Sequence, residues 1–343
     1  MTETATFSHP DQPVRHTYPL INKEVGVSAA LHLLIRTLPY AVIRFGILLG
    51  VSIATILWAA ITFGGAALFG NKIHPWIGYG WLFAGIGVYG FFWRLVLRYA
   101  LYLVKCGHIA VLTELITTDQ IGNGTQGMFS YGKDAVTGRF GQVNMLFGLD
   151  LLIHGVVKAF NRSLDFIAAL IPIPGLNSLV ALVNAVIYAA TTFIDETILS
   201  YNLARGDENP WRSSQDGILY YCQNAKEILK TAIGVVILDK VLTVGVWILC
   251  MIPATLIAAA LPGALKGAGL AGIVIAALFA WNIRAAFLQP LFLIMIMIKF
   301  HASVENQEIN LEWDEKLSSI SSKFKQLKEG VGTWKSPAGA APS

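Results

Sequence analysis

Charge is the scarcest commodity in this chain. Only 13% of its 343 residues are Asp, Glu, Lys or Arg, whereas 55% are hydrophobic and the mean hydropathy is +0.59. Soluble domains carry about 25% charged residues, so much of this surface faces something other than water. Cysteine is scarce too. Cys106, Cys222 and Cys250 are odd in number and scattered, with no CxxC or Cys/His spacing, which excludes a disulfide framework and a zinc site. The first 22 residues are polar and contain no apolar core of a cleavable signal. Neither GxxxxGK[ST] nor GxGxxG occurs, and no HExxH or local Ser/His/Asp set is found. The expectation is therefore no enzyme, no cofactor and no metal. A net charge of +4 gives no nucleic-acid signature, because Lys and Arg sit beside apolar runs, the pattern of membrane flanks.

The apolar runs make this an all-α, polytopic helical membrane protein with about six spans. Their windows are about 41–69, 77–104, 142–160, 176–199, 232–252 (extending past Pro253 to Ala260) and 269–298. Each approaches the ~20 residues that cross ~30 Å of hydrocarbon. Gly70-Asn71 ends the first, and Ile171-Pro172-Ile173-Pro174-Gly175 is a hard break before the fourth. Residues 24–37 place Leu31, Leu34, Ile35 and Leu38 opposite His32 and Arg36, predicting a short amphipathic helix in the interface. The linear organisation is then 1–38 as tail and interfacial helix, 39–300 as transmembrane domain, and 301–343 as cytoplasmic amphipathic helix and disordered tail.

With both termini inside, the outer loops hold only Lys72, Lys158, Arg162 and Lys266, while the last segment alone holds five lysines from Lys316 to Lys335. The positive-inside rule thus places both ends in the cytoplasm, of a bacterial inner membrane or a plasma membrane.

An internal repeat is visible. Gly127, Tyr131 and Ala135 lie over Gly217, Tyr221 and Ala225 at a constant offset, and Leu149-Asp150-Leu151 lies near Leu238-Asp239-Lys240 one residue out of register. Ile218, Cys222, Ala225, Leu229 and Ala232 form one helical face, as do Trp313, Leu317, Ile320, Phe324, Leu327 and Val331. Repeats of this kind are frequent in transporters, with the site near the repeat interface. An old duplication that only builds the fold reads equally well.

Charges inside spans carry the sharpest signal, because an unpaired one costs several kcal/mol in hydrocarbon. Asp150, Asp239, Lys240 and Arg284 qualify, with His154 one turn after Asp150. Arg284 lies about midway along the sixth window and needs a carboxylate, with Asp239 the first choice and Asp150 the second. Lys240 points about 100° away from Asp239 on a helix. These five residues are the candidates for a solute or ion pathway. The plain alternative is a set of structural pairs that lock spans together. Trp76, Trp81, Trp211, Trp281 and Trp313 fit an interfacial belt more simply than an aromatic cage.

From about 217 to 330 the chain resembles the C-terminal part of the choline transporter-like family (solute carrier family 44). The residues that carry this are Tyr221-Cys222-Gln-Asn-Ala225-Lys226, Val236-Ile237-Leu238-Asp239-Lys240-Val241, and the Asp314-Glu315-Lys316-Leu317 helix after the last span. That family has a longer chain, about ten spans and a large extracellular loop, so no substrate site carries over. The resemblance implies a related helical core and movement of an amine, lipid head group or ion.

Two functions follow as expectations: a transporter-like or channel-like protein for a small polar solute, amine, lipid head group or ion, or a non-transporting scaffold. In the second, the C-terminal helix would bind a protein partner or a second copy, or shape the lipid bilayer.

Overall fold

The computed structural model describes residues 18–93, 98–141, 143–163, 193–206, 209–263 and 266–333. The described residues are almost wholly helical: α1 Val27–Arg36, α2 Leu38–Lys72, α3 Pro75–Phe92, α4 Arg98–Thr117, α5 Met128–Phe140, α6 Val143–Ser163, α7 over 193–204, α8 Pro210–Ala260, α9 Lys266–Ile283, a π-helical turn Arg284–Leu288, α10 Gln289–Val304, α11 Glu312–Ile320 and α12 Ser322–Thr333. Among the described residues, four helices are long and apolar enough to cross a membrane: Leu38–Lys72, Ala100–Thr117, Pro210–Ala260 and Gly269–Val304. A fifth results if Met128–Phe140 and Met145–Phe160, bent by 79° at their junction, count as one. Most of the fourth expected span, 176–199, lies outside the described residues. The chain is thus an all-α protein built around long apolar helices, as a membrane-embedded chain requires.

Contacts divide the chain into two units, Met1–Ala30 with Ile109–Ile237 and Leu293–Ser343, and Leu31–His108 with Leu238–Phe292. The linear division at 38 and 300 is not the one the contacts make.

In the second unit α2 and α3 form a hairpin. Pro75 opens α3 where its missing N–H is no loss, and His74 Nδ1 caps it by accepting from Trp76 N–H at 3.3 Å. Gly78 must be glycine for packing, since a Cβ there would come 2.6 Å from the Ala66 carbonyl and 2.8 Å from Gly70 Cα. Thr55 and Tyr89 hydroxyls meet at 2.6 Å, and Trp58 Nε1 donates to the Gly85 carbonyl at 3.0 Å. Outward, this hairpin shows Leu57, Phe63, Trp76, Phe83 and Phe91, each more than half exposed. Such a surface is stable against hydrocarbon and costly against water.

The first unit is packed like a protein interior. Phe160, Tyr201, Tyr220, Tyr221, Phe300 and Phe324 are fully buried. Phe160 meets the rings of Tyr221 and Trp313 at 5.8 and 5.6 Å, edge to face. The expected C-terminal stripe is interrupted at Ser321, where the backbone turns extended, so it forms two helices, α11 and α12. Part of its apolar side is covered: Leu317, Phe324 and Leu327 are buried and both helices pack along α6, while Trp313 and Val331 are half-buried and Ile320 is exposed.

Two local expectations shift. α1 forms, but it buries Ala30, Leu33, Leu34 and Thr37, leaving Leu31, Ile35 and Leu38 exposed. The small Ala30 and the hydroxyl of Thr37, which donates to the Leu33 carbonyl at 2.9 Å, allow close approach on that side. α8 fuses the second amphipathic stretch to the fifth span in one 51-residue helix. At 1.5 Å per residue it is about 75 Å long, more than twice the hydrocarbon thickness. Its first half, from Ser213 to Val236, is mostly buried, while Ile237, Val241, Val244, Leu249 and Leu256 are exposed.

Candidate functional site

Helix α8 places Asp239 and Thr243 one turn apart on the same face. The π-turn places Arg284 against them. Arg284 Nη2 donates to Asp239 Oδ2 at 2.8 Å, Arg284 Nε donates to Thr243 Oγ1 at 3.0 Å, and Thr243 Oγ1 donates to Asp239 Oδ1 at 3.2 Å. The three side chains close a ring in which both carboxylate oxygens are used. The Arg284 and Asp239 side chains keep only 22% and 15% of their exposure. π-turns are rare and concentrate at functional sites, because the extra residue re-aims the side chains around it.

Asp239 lies about 20 residues before the end of α8 at Ala260, and Arg284 lies a similar distance after the start of α9 at Lys266. Both are therefore about 30 Å from the turn that joins the two helices, a full hydrocarbon thickness. The pair is level along the two helices and lies where the exposed apolar side chains of α8 begin, at Ile237. The sequence windows hid this because they put the start of span five only a few residues before Asp239. Lys240 is exposed beside the ring, where its long stem can carry the ammonium to the interface. Further polar pairs flank the π-turn: Arg44 Nη2 donates to Gln289 Oε1 at 2.8 Å, and Asn282 Nδ2 donates to Ser52 Oγ at 2.9 Å.

Asp150 and His154 belong to the other unit, on α6. His154 Nδ1 lies 3.3 Å from Asp195 Oδ2 on α7, so its nearest carboxylate comes from another helix and not from Asp150 one turn away. Asp150 is half-buried beside it. Both repeat segments are helical, but Tyr131 donates to Glu114 Oε2 at 2.7 Å, while Tyr221 is sealed against Phe160. The five tryptophans share no ring contact with one another among the described residues, and Trp313 carries Lys316 Nζ over its face at 4.6 Å.

A second polar constellation, marked by no motif, lies in the first unit. Tyr18 Oη lies 2.8 Å from His301 Nδ1, His301 Nε2 lies 2.8 Å from Ser200 Oγ, and Ser200 Oγ lies 2.7 Å from Thr113 Oγ1. Thr113 spends its proton on the Ile109 carbonyl at 2.8 Å. This fixes the chain for a neutral imidazole: Ser200 donates to Thr113, His301 Nε2–H donates to Ser200, and Tyr18 donates to the bare Nδ1. Burial pushes the Tyr18 phenol well above its ordinary pKa, which keeps that proton in place. His301 and Ser200 are fully buried. The one sequence signal was an isolated His three residues after the last span window, which ends at 298.

Comparison with known protein families, with curated proteins and with solved structures finds no match to this chain.

Proposed function

We propose that this is a transporter-like or channel-like integral membrane protein that moves a small polar solute, amine, lipid head group or ion. The observation that carries the reading is the closed Asp239–Thr243–Arg284 ring, set on a π-turn where the exposed apolar side chains of α8 begin. A charged pair that only tied two helices together is replaceable by apolar packing at little loss. Intramembrane ionisable residues instead mark pathways by default. A cation reaching Asp239 competes directly with Arg284, and a π-turn relaxing to α-helix rotates the guanidinium away. The short resemblance to the choline transporter-like family, centred on the same Asp239 segment, points in the same direction.

Both termini are placed in the cytoplasm by the positive-inside rule. In this reading the hairpins α2–α3 and α8–α9 make four crossings: α3 is counted for its exposed apolar surface, although it is not among the four helices long and apolar enough alone, and α4, which is, is left out because most of its apolar stretch is buried in protein. A six-crossing topology needs α6 to cross as well, but lysine-rich α11 and α12 pack along α6, which favours the cytoplasmic side for it. Reporters after Asn71, Ser163 and Pro210 test this. Outside, inside and inside fit four crossings, whereas an outside reading at Ser163 restores six. For function, the protein is reconstituted in vesicles and flux of alkali cations, protons, methylammonium and choline is followed. Flux above empty vesicles in the native protein, lost in Asp239→Asn and Arg284→Gln, supports transport. Wild-type vesicles no leakier than empty ones to every probe would favour the scaffold reading.

A further inference from the structure

The first unit contains a polar cavity of about 370 Å³ that the Asp239–Arg284 ring does not share. Its walls come from the end of α4, from α5, from the end of α7 and from the extended strap that precedes α1. Tyr18 and Pro19 of that strap form one side. The strap is tied down at several points. Ile21 and Asn22 N–H both donate to the Ile116 carbonyl at 3.1 Å, Asn22 Nδ2 donates to the Leu115 carbonyl at 2.7 Å, and Leu20 is buried. The wall is therefore a built part of the fold. It is also wired to a second wall residue, because the Tyr18–His301–Ser200 chain ends on Thr113, which lines the cavity too.

Among the described residues, three charged side chains line this space: Glu114, Asp134 and Arg139. Arg139 is spent. Its Nε donates to Asn202 Oδ1 at 2.8 Å, Nη1 to the Gly206 carbonyl at 3.0 Å and Nη2 to Ser213 Oγ at 2.9 Å. The carboxylates have only neutral partners. Glu114 Oε2 accepts from Tyr131, and Asp134 Oδ2 accepts from Gln126 Nε2 at 2.8 Å and Ser130 Oγ at 3.3 Å. Among the described residues, Glu114 Oε1 and Asp134 Oδ1 accept no hydrogen bond and no cation stands within ion-pair distance of either carboxylate. The cavity thus presents a net negative charge, two open acceptors and the rings of Tyr18 and Tyr131.

We propose that this cavity is a binding site for a small organic cation carrying N–H donors, a guanidinium or alkylammonium, closed on one side by the Tyr18–Pro19 strap. The donors distinguish this ligand class from a quaternary ammonium. Open carboxylate oxygens demand hydrogens, and a planar guanidinium both supplies them in a fork and stacks on a tyrosine face. A cation without N–H groups answers the charge alone and leaves both acceptors unmet. The volume admits a ligand of several heavy atoms. The site stands apart from the transport reading and is testable by binding alone.

The test is equilibrium binding of methylguanidine, methylammonium and tetramethylammonium to the detergent-solubilised full chain, read by calorimetry and by shift of the thermal midpoint. Methylguanidine is expected to bind at least tenfold more tightly than tetramethylammonium. Asp134→Asn, at an exposed position, and Glu114→Gln, which keeps the Tyr131 contact, are each expected to weaken methylguanidine tenfold or more. Tyr18→Ala is expected to speed its release. Equal affinity for methylguanidine and tetramethylammonium would overturn the donor argument. Undiminished binding in Asp134→Asn, or no binding to the native chain, would overturn the site.

Discussion

Replacing Asp239 by Asn keeps the side-chain shape but leaves the Arg284 guanidinium facing a neutral amide. Breaking one partner of a fully buried ion pair costs about 3–5 kcal/mol, and an exposed pair is worth about 0–1 kcal/mol. With exposures of 22% and 15% the pair lies nearer the buried limit, so a loss of about 2–3 kcal/mol is expected for Asp239→Asn. Arg284→Gln should cost a similar amount, because Asp239 then keeps only the Thr243 donor and a neutral amide. The double variant restores a neutral, hydrogen-bonded pair and should lie within about 1 kcal/mol of the native protein, giving a coupling of roughly 3 kcal/mol or more. The assay is denaturant unfolding in a fixed detergent, followed by tryptophan fluorescence, for the four proteins of the cycle. Single variants that each lose less than about 0.5 kcal/mol and simply add would mean that the pair is solvated in the native state. The reasoning about a sealed ring would then fail.

Other perturbations test the fold around the two polar constellations. Tyr18→Phe leaves the bare Nδ1 of His301 buried without its donor and should cost about 1–3 kcal/mol; fluorescence unfolding of the variant measures it, and a neutral effect would mean that the strap is not latched there. Gly78→Ala drives a Cβ into backbone of α2, so the hairpin must separate, at about 1–3 kcal/mol; proteolysis at the α2–α3 turn should accelerate. Phe324→Ala should cost about 3–5 kcal/mol if α12 is core, and a small loss would return its apolar face to the surface as a partner site.

Much of the architecture was legible because hydrocarbon imposes a simple rule on sequence: long apolar runs must be helices. The hairpin of α2 and α3, the α8–α9 pair and the extension of α8 past Pro253 all follow from that. What periodicity could not supply was which apolar surface meets protein and which meets lipid. For this reason α1 buries Ala30, Leu33 and Thr37 in place of Leu31 and Ile35. The stripe of α11 and α12 likewise looked free, although part of it is covered by α6. The proximity of Asp239 and Arg284 was readable because consecutive spans are antiparallel neighbours, but their depth was not, since helix starts are weakly marked when an amphipathic helix runs straight into a span. The Tyr18–His301–Ser200–Thr113 chain joins four separate segments through common residue types, and nothing local in sequence announces it.

The proposed transport reading requires Asp239 and Arg284 to work as a pathway element and not as a lock. The charge-swapped variant Asp239→Arg with Arg284→Asp separates the two roles, because a lock needs only opposite charges whereas a pathway needs the carboxylate on α8. Flux in reconstituted vesicles, with unfolding of the same preparation as control, is the direct measurement. The account predicts that the swap retains most of the native stability and loses the flux of whichever probe the native protein moves. Native flux in a stable swapped protein would contradict it.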